Sequence, residues 1–187
     1  MKLLILDRDG VINHDSDDFI KTPEEWQPIK GSLEAIARLS QAGYDLVIIT
    51  NQSGIGRGLF SADTLGSIHV RMVDYIHQHG GRIHGLLVCP HHPDEGCECR
   101  KPREGLYNEL ARRLNITFKD VYSVGDSLRD LQAADTAGAT PVLVKTGKGK
   151  RTAKTIRKTI DSPFSNVATY DNLLSFTDAL LTGQLAS

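Results

Sequence analysis

Short apolar runs that alternate with helical patterns constrain the fold of this chain more than any other feature. Most of these runs are apolar at every position, which is typical of strands buried on both faces of a parallel sheet. The runs lie at Leu3–Leu6, Leu46–Ile49, Leu86–Val88, Val121–Val124 and Pro141–Val144. The alternation predicts an α/β fold in which helices cover both faces of the sheet.

The segments between these runs carry apolar residues at helical spacing. The predicted helices are Ser32–Gln41, Ser61–His79, Leu106–Leu114, Leu128–Ala137 and Asn172–Leu181. Ser61 is a typical N-cap, and Gly43 and Gly138 follow their helices as stop signals. We therefore expect one domain over residues 1–187, built as a three-layer, doubly wound parallel sheet without internal repeats.

Length and composition place the chain among ordinary globular proteins. It has 187 residues, 40% of them hydrophobic, and a formal net charge of −1. That charge argues against a nucleic-acid partner, and no apolar run reaches the roughly 18 residues that a membrane span needs. The N-terminus has no signal-peptide pattern, so a cytoplasmic location is expected, where cysteines are more often ligands or catalysts than disulfides.

Polar residues follow the predicted strands at the points where each strand ends. They are Asp7 and Asp9, then Thr50, Asn51, Gln52 and Ser53, and later Asp126, with Arg100 and Lys101 closing a cysteine-rich loop. The carboxyl ends of parallel strands meet at one edge of a sheet, so these groups should share a site. Clustered carboxylates need a cation, and oxygen ligands suit Mg²⁺ beside a phosphate.

The loop over residues 89–102 reads CPHHPDEGCECRKP and predicts a second metal site. Its thiols Cys89, Cys97 and Cys99, with His91 or His92, offer three sulfur ligands and one imidazole for a tetrahedral Zn²⁺. Four protein ligands leave no open position, so the zinc would be structural. A short loop without regular secondary structure needs a bound metal ion of this kind to stabilise its conformation.

The segments DRDG, TNQSG, RKP and GDSLRD, taken together, resemble the motifs of the haloacid dehalogenase (HAD) superfamily of phosphotransferases. The resemblance implies that Asp7 is the nucleophile and Asp9 the general acid and base, and that Thr50 and Lys101 stabilise the phosphoryl group. It also implies Mg²⁺ held by Asp7, Asp126 and the backbone carbonyl of Asp9. Asp130 fits the second acidic position of the last motif.

The zinc loop directly before RKP resembles the HAD families that hydrolyse heptose 1,7-bisphosphate or histidinol phosphate, which lack a large cap domain. That resemblance favours His91 over His92 as the zinc ligand and implies that Asn51, Gln52 and Ser53 line the substrate pocket. Arg100 would contact an anion of the substrate. The chain ends soon after its last helix without a dehydratase partner domain, which favours the 7-phosphate of a heptose bisphosphate over histidinol phosphate. A monomer is the expected state.

Two alternatives remain at this point. A response-regulator receiver domain also combines acidic residues, a Thr and a Lys, but its acidic pair precedes the phosphoacceptor strand and it has no cysteine loop. A zinc-stapled nucleic-acid module would use the basic stretch 145–158, but aromatic residues make up only 6% of the chain. We expect this stretch to be a solvated surface loop. The alternative is that its basic residues form a rim that attracts a phosphate.

Overall fold

A computed structural model describes residues 2–185; Met1, Ala186 and Ser187, the ends of the predicted domain, lie outside the described residues. The strands are β1 Lys2–Leu6, β2 Tyr44–Asn51, β3 Gly85–Cys89, β4 Tyr122–Gly125, β5 Thr140–Val144 and β6 Ala168–Tyr170. They form one six-stranded sheet in the order β3-β2-β1-β4-β5-β6, and every neighbouring pair is parallel. The predicted parallel sheet is therefore confirmed.

Helices cover both faces of the sheet. They are α1 Ser32–Gln41, α2 Ala62–Gln78, α3 Gly105–Leu114, α4 Leu128–Thr136, α5 Gly149–Lys158 and α6 Leu173–Thr182. Alternate β1 residues face opposite layers: Leu4 and Leu6 belong to the core cluster that contains residues of α1, α2 and α6, whereas Leu3 and Ile5 belong to the cluster that contains residues of α3 and α4. The predicted three-layer architecture follows from this alternation.

The basic stretch 145–158 differs from the expected loop, because most of it is α5. Thr152 and Ile156 lie on one face of that helix and are buried, and Ile156 packs in a small core cluster with Leu131 and Leu143. One isoleucine in a run of Lys, Arg and Thr gives too weak a periodicity to predict a helix. The short strand β6 was also not predicted, because its sequence ATY lacks an apolar run.

The strand order indicates which edge of the sheet binds ligands. β1 pairs with β2 on one side and with β4 on the other, so the order in which the chain adds strands to the sheet reverses beside β1. Ligands bind at such a switch point, outside the carboxyl ends of the strands. Between the strands of residues 2–185 there are loops, single helices and two short 3-10 helices, Pro23–Glu25 and Pro93–Glu95, and no cap domain. None of the helices in this part of the chain is long and apolar enough to cross a bilayer.

Candidate active site

Three carboxylates meet at the switch point. Asp7 follows β1, Asp126 follows β4, and Asp130 lies in the first turn of α4, where its side chain accepts a hydrogen bond from the Ser127 backbone at 3.0 Å. The candidate ligand oxygens of the three aspartates all lie within 4.8 Å of one another. The parallel sheet thus joins residues that are more than a hundred positions apart in the sequence.

Burial, together with repulsion from the neighbouring carboxylates, raises the pKa values of two of these groups. Burial, followed by Asp130 and Asp7, raises the pKa of Asp126 to about 8. Burial also raises the pKa of Asp7 to about 6, although the Lys101 ammonium opposes the shift. In Asp130 burial has the same upward effect, but Lys101 outweighs it and the pKa ends below its ordinary value. Without a bound cation Asp126 therefore favours its protonated form near pH 7, and Asp7 holds a proton to a higher pH than an ordinary aspartate does.

The ammonium of Lys101 lies between two of these carboxylates. Its Nζ donates to Asp7 Oδ1 at 2.9 Å and to the Ile49 carbonyl at 2.8 Å, and it is 2.6 Å from Asp130 Oδ1. The backbone of Lys101 is clamped by the Asn51 amide through two hydrogen bonds of 3.1 Å. The side chain of Asn51, predicted to contact substrate, is thus used to position Lys101.

The donor set fits a magnesium ion. Octahedral Mg²⁺ holds oxygens at about 2.1 Å, so neighbouring ligands lie about 3 Å apart and opposite ones about 4 Å apart, within the spread of this cluster. Asp130 binds Lys101 and Ser127, which leaves Asp7 and Asp126 as the carboxylates best placed for direct ligation. The Asp9 side chain lies outside this cluster. Ligation of Mg²⁺ by the Asp9 backbone carbonyl remains a prediction.

A dense set of donors holds the Asp9 carboxylate. The Arg8 guanidinium donates to both of its oxygens, at 2.8–3.2 Å, and Asn13 Nδ2 and Gln52 Nε2 donate at 2.9 and 2.7 Å. Burial alone would raise the pKa of Asp9, but Arg8 and these hydrogen bonds bring it below the ordinary value. Gln52 also donates to Thr50 Oγ1 at 2.9 Å and lines the cavity above the carboxylates.

Two glycines and Lys148 fix the position of Asp126. A Cβ on Gly10 or on Gly147 would lie 2.1 or 2.2 Å from Asp126 Oδ2, and both residues have positive φ. The backbone N–H of Lys148 donates to the same oxygen at 2.6 Å, while its Nζ pairs with Asp15 at 2.8 Å. Lys148 was not predicted as a site residue, and the basic stretch around it is the only sequence signal.

The predicted zinc ligands converge at the end of β3. Sulfur–sulfur distances are 3.6 Å for Cys89–Cys97 and 3.5 Å for Cys97–Cys99, and His91 Nδ1 is 3.7 Å from Cys89 Sγ and 3.1 Å from Cys99 Sγ. Tetrahedral zinc with bonds of about 2.3 Å to sulfur needs edges of roughly 3.6–3.8 Å, which the cluster approaches. Burial and the adjacent thiols raise the pKa of Cys99 to about 12, so a thiolate at Cys99 requires a cation.

His92 is outside this cluster. Its Nδ1 accepts a hydrogen bond from the Asp94 backbone at 3.2 Å and caps the 3-10 helix Pro93–Glu95. The predicted preference for His91 agrees with this placement.

The cavity above the carboxylates is bordered by cations. Arg100, Arg57, Arg129 and Lys148 line it together with Thr50, Ser53 and the loop that contains Asp15. Arg100 Nη1 is buried and has no hydrogen-bond partner, and among residues 2–185 no carboxylate lies within 4.0 Å of its guanidinium. Burial and then Arg129 lower the pKa of Arg100. The cavity is therefore suited to an anionic ligand.

Comparisons with known proteins agree with this geometry. Residues 98–170 match the HAD-hydrolase-like family. Over 152 residues the chain is 55% identical to the D-glycero-β-D-manno-heptose-1,7-bisphosphate 7-phosphatase of Bordetella bronchiseptica, covering 81% of this chain and 85% of that relative. The crystal structure of the B. bronchiseptica D,D-heptose 1,7-bisphosphate phosphatase with magnesium and phosphate superposes with a TM-score of 0.92 at 48% identity, covering 98% of this chain and 99% of that one.

A second solved structure, the D,D-heptose 1,7-bisphosphate phosphatase of Burkholderia thailandensis, has a TM-score of 0.74 at 41% identity and covers 97% and 99% of the two chains. The receiver-domain and nucleic-acid interpretations are not supported by any of these matches. The fold, the converging aspartates and the identity to these relatives together show that the chain belongs to the heptose-1,7-bisphosphate 7-phosphatase family of HAD hydrolases.

Proposed function

We propose that this protein is a Mg²⁺-dependent phosphomonoesterase that removes the 7-phosphate of D-glycero-β-D-manno-heptose 1,7-bisphosphate. The observation that carries the proposal is the meeting of Asp7, Lys101 and Asp126 at the switch point, in a chain with 55% identity to a phosphatase of that name. The site has a carboxylate nucleophile and a buried cation beside it. Such a set performs phosphoryl transfer through an aspartyl phosphate.

In the first step an oxygen of Asp7 attacks phosphorus and the bond from phosphorus to the sugar oxygen breaks. Asp9 gives its proton to that leaving oxygen, as a general acid must for a poor leaving group. The incoming phosphate dianion offsets Arg8 and allows Asp9 to hold a proton. Lys101 and the Thr50 hydroxyl stabilise the negative charge of the transferring group.

In the second step water attacks the phosphorus of the aspartyl phosphate. Asp9 accepts the proton of that water, the bond between phosphorus and Asp7 breaks, and inorganic phosphate leaves. Bound at Asp7, Asp126 and the Asp9 carbonyl, Mg²⁺ would neutralise charge on the transferring phosphoryl group and keep Asp7 and Asp126 ionised.

We also propose that the second, retained phosphate lies against Arg100. The buried Nη1 without a partner is a costly arrangement unless a ligand accepts from it, and a phosphate oxygen does so with charge assistance. Ser53 and Arg129 border the same cavity and would contact the sugar or this phosphate. Arg100 would then distinguish a bisphosphate from a monophosphate.

The zinc at Cys89, His91, Cys97 and Cys99 is proposed as structural. It would hold the loop that ends in Arg100 and Lys101, and all four protein ligands would be used. We further propose a monomer, one domain over residues 1–187, a cytoplasmic location and no nucleic-acid partner.

Histidinol phosphate is the second candidate substrate, because the predicted motif set is shared by both phosphatase classes. The test is kcat/KM for the heptose bisphosphate against histidinol phosphate on one preparation. The proposal predicts preference for the bisphosphate, with Arg100→Ala eroding it and Arg113→Ala, an exposed control on α3, leaving it intact. A preference for histidinol phosphate of tenfold or more, about 1.4 kcal/mol, would reverse the assignment.

A further inference from the structure

Arg8 is a buried arginine that the proposed chemistry does not use directly. It lies between Asp7 and Asp9 in the sequence, and only 1% of its surface is exposed. Its Nε and Nη2 donate to the Asp9 carboxylate, and Nη2 also donates to Gln52 Oε1 at 3.1 Å. Two of its three nitrogens are therefore fully used in holding the predicted general acid.

The third nitrogen reaches a histidine on a distant helix. Arg8 Nη1 lies 3.2 Å from His69 Nε2, and His69 is on α2, 61 positions further along the chain. A guanidinium carries only hydrogen-bond donors, so His69 Nε2 must accept and the ring proton must be on Nδ1. Burial and then Arg8 lower the pKa of His69 to about 4, which agrees with a neutral ring.

We propose that His69 is a positioning residue for catalysis, acting through Arg8 to fix the Asp9 carboxyl against the leaving oxygen of the substrate. The inference deepens the proposed phosphatase function and rests on it. A planar guanidinium has one orientation in which it donates to Asp9 on one edge and to His69 on the other, so the histidine sets the rotation of the plane. Without that acceptor, a buried Nη1 is unpaired, and the plane of the guanidinium is no longer fixed from its far edge while it donates to Asp9.

A purely structural role for His69 makes a different prediction. If the ring only satisfied a buried arginine, its loss would lower stability and slow all substrates equally. A positioning role affects the protonation of the leaving group in particular. An alkyl phosphate needs that proton, whereas p-nitrophenyl phosphate has a good leaving group and needs it little.

The test compares kcat/KM for a sugar phosphate and for p-nitrophenyl phosphate, because kcat/KM reports the steps up to departure of the leaving group. The variants are His69→Leu, which removes the acceptor, His69→Gln, whose amide oxygen can accept from Arg8, and His77→Leu, an exposed control on the same helix. His69→Leu is expected to lose about tenfold or more on the sugar phosphate and less than about twofold on the aryl phosphate. His69→Gln should recover most of this loss, and His77→Leu should show none.

Equal losses on both substrates, or no loss on the sugar phosphate, would overturn the positioning role while leaving the phosphatase function intact. Absence of wild-type turnover of any phosphate ester would instead contradict the function itself. The imidazole ¹⁵N shifts of wild-type His69 give a readout that does not depend on turnover. They should show the Nδ1–H tautomer, and an Nε2–H tautomer would overturn the proposal in either case.

Discussion

The buried carboxyl of Asp126 should make the magnesium-free protein less stable as the pH rises. Burial, Asp130 and Asp7 raise its pKa to about 8, far above that of an unfolded-chain aspartate. Between about pH 5.5 and about pH 8 the folded chain therefore holds a proton that the unfolded chain has released. Stability falls with pH wherever the folded state binds more protons, at about 1.4 kcal/mol per pH unit and proton.

For Asp126 the free energy of unfolding should therefore fall by about 3 kcal/mol between these two pH values, as the pH rises to the pKa of the folded state. Asp7, whose pKa is raised to about 6, adds a smaller loss of the same sign. Magnesium reverses the trend, because a bound cation favours the ionised carboxylates. The free energy of unfolding should thus depend on Mg²⁺ strongly near pH 8 and weakly near pH 5.5.

The assay is urea unfolding at both pH values, on protein desalted into Mg²⁺-free buffer rather than treated with EDTA, so that zinc is retained. Asp126→Asn is the matched variant, since it keeps the shape and removes the proton-linked group. Its stability should change with pH by about 3 kcal/mol less than that of the wild type. Identical pH dependence in the two proteins would refute the assigned electrostatics.

Further predictions concern the nucleophile, the zinc loop and the backbone beside Asp126. Asp7→Asn should abolish turnover of phosphate esters in steady-state assays while the melting curve with Mg²⁺ absent remains cooperative. Cys97→Ser should reduce zinc below about one per chain by elemental analysis and lower the melting temperature; full zinc content would contradict the ligand assignment. Gly10→Ala should raise the Mg²⁺ concentration needed for half-maximal activity by about tenfold or more, because its Cβ would displace the Asp126 carboxylate. Gly43→Ala, with the same positive φ and nothing within 4 Å, should cost only about 1 kcal/mol of stability and leave that concentration unchanged.

The sheet and the clustering of the candidate metal ligands could be predicted from the sequence because both depend on local patterns. Apolar runs mark buried strands whatever their order, and the polar residues after them must meet at one edge. The spacing of Cys89, Cys97 and Cys99 likewise limits the loop to a compact cluster. The observed site confirms that Asp7, Asp126 and Lys101 lie together.

The contacts made by individual side chains were not predictable in the same way. Arg8 meets His69 only because α2 packs beside the end of β1, and no periodicity in the sequence indicates that contact. The amides of Asn51 and Gln52 were predicted only to contact substrate, and their hydrogen bonds to Lys101 and Asp9 were not predicted. Buried donors must find acceptors within the fold, and that requirement is settled by packing rather than by motif.

The covalent role of Asp7 is tested most directly by trapping the phosphorylated enzyme. Wild-type protein and Asp7→Asn are mixed separately with heptose bisphosphate and Mg²⁺, quenched in acid within milliseconds, and digested for mass spectrometry. We expect a phosphoryl group on the peptide that contains Asp7 in the wild type, and none in Asp7→Asn. Turnover at a near-normal rate in Asp7→Asn, with no phosphorylated peptide in the wild type, would contradict this expectation.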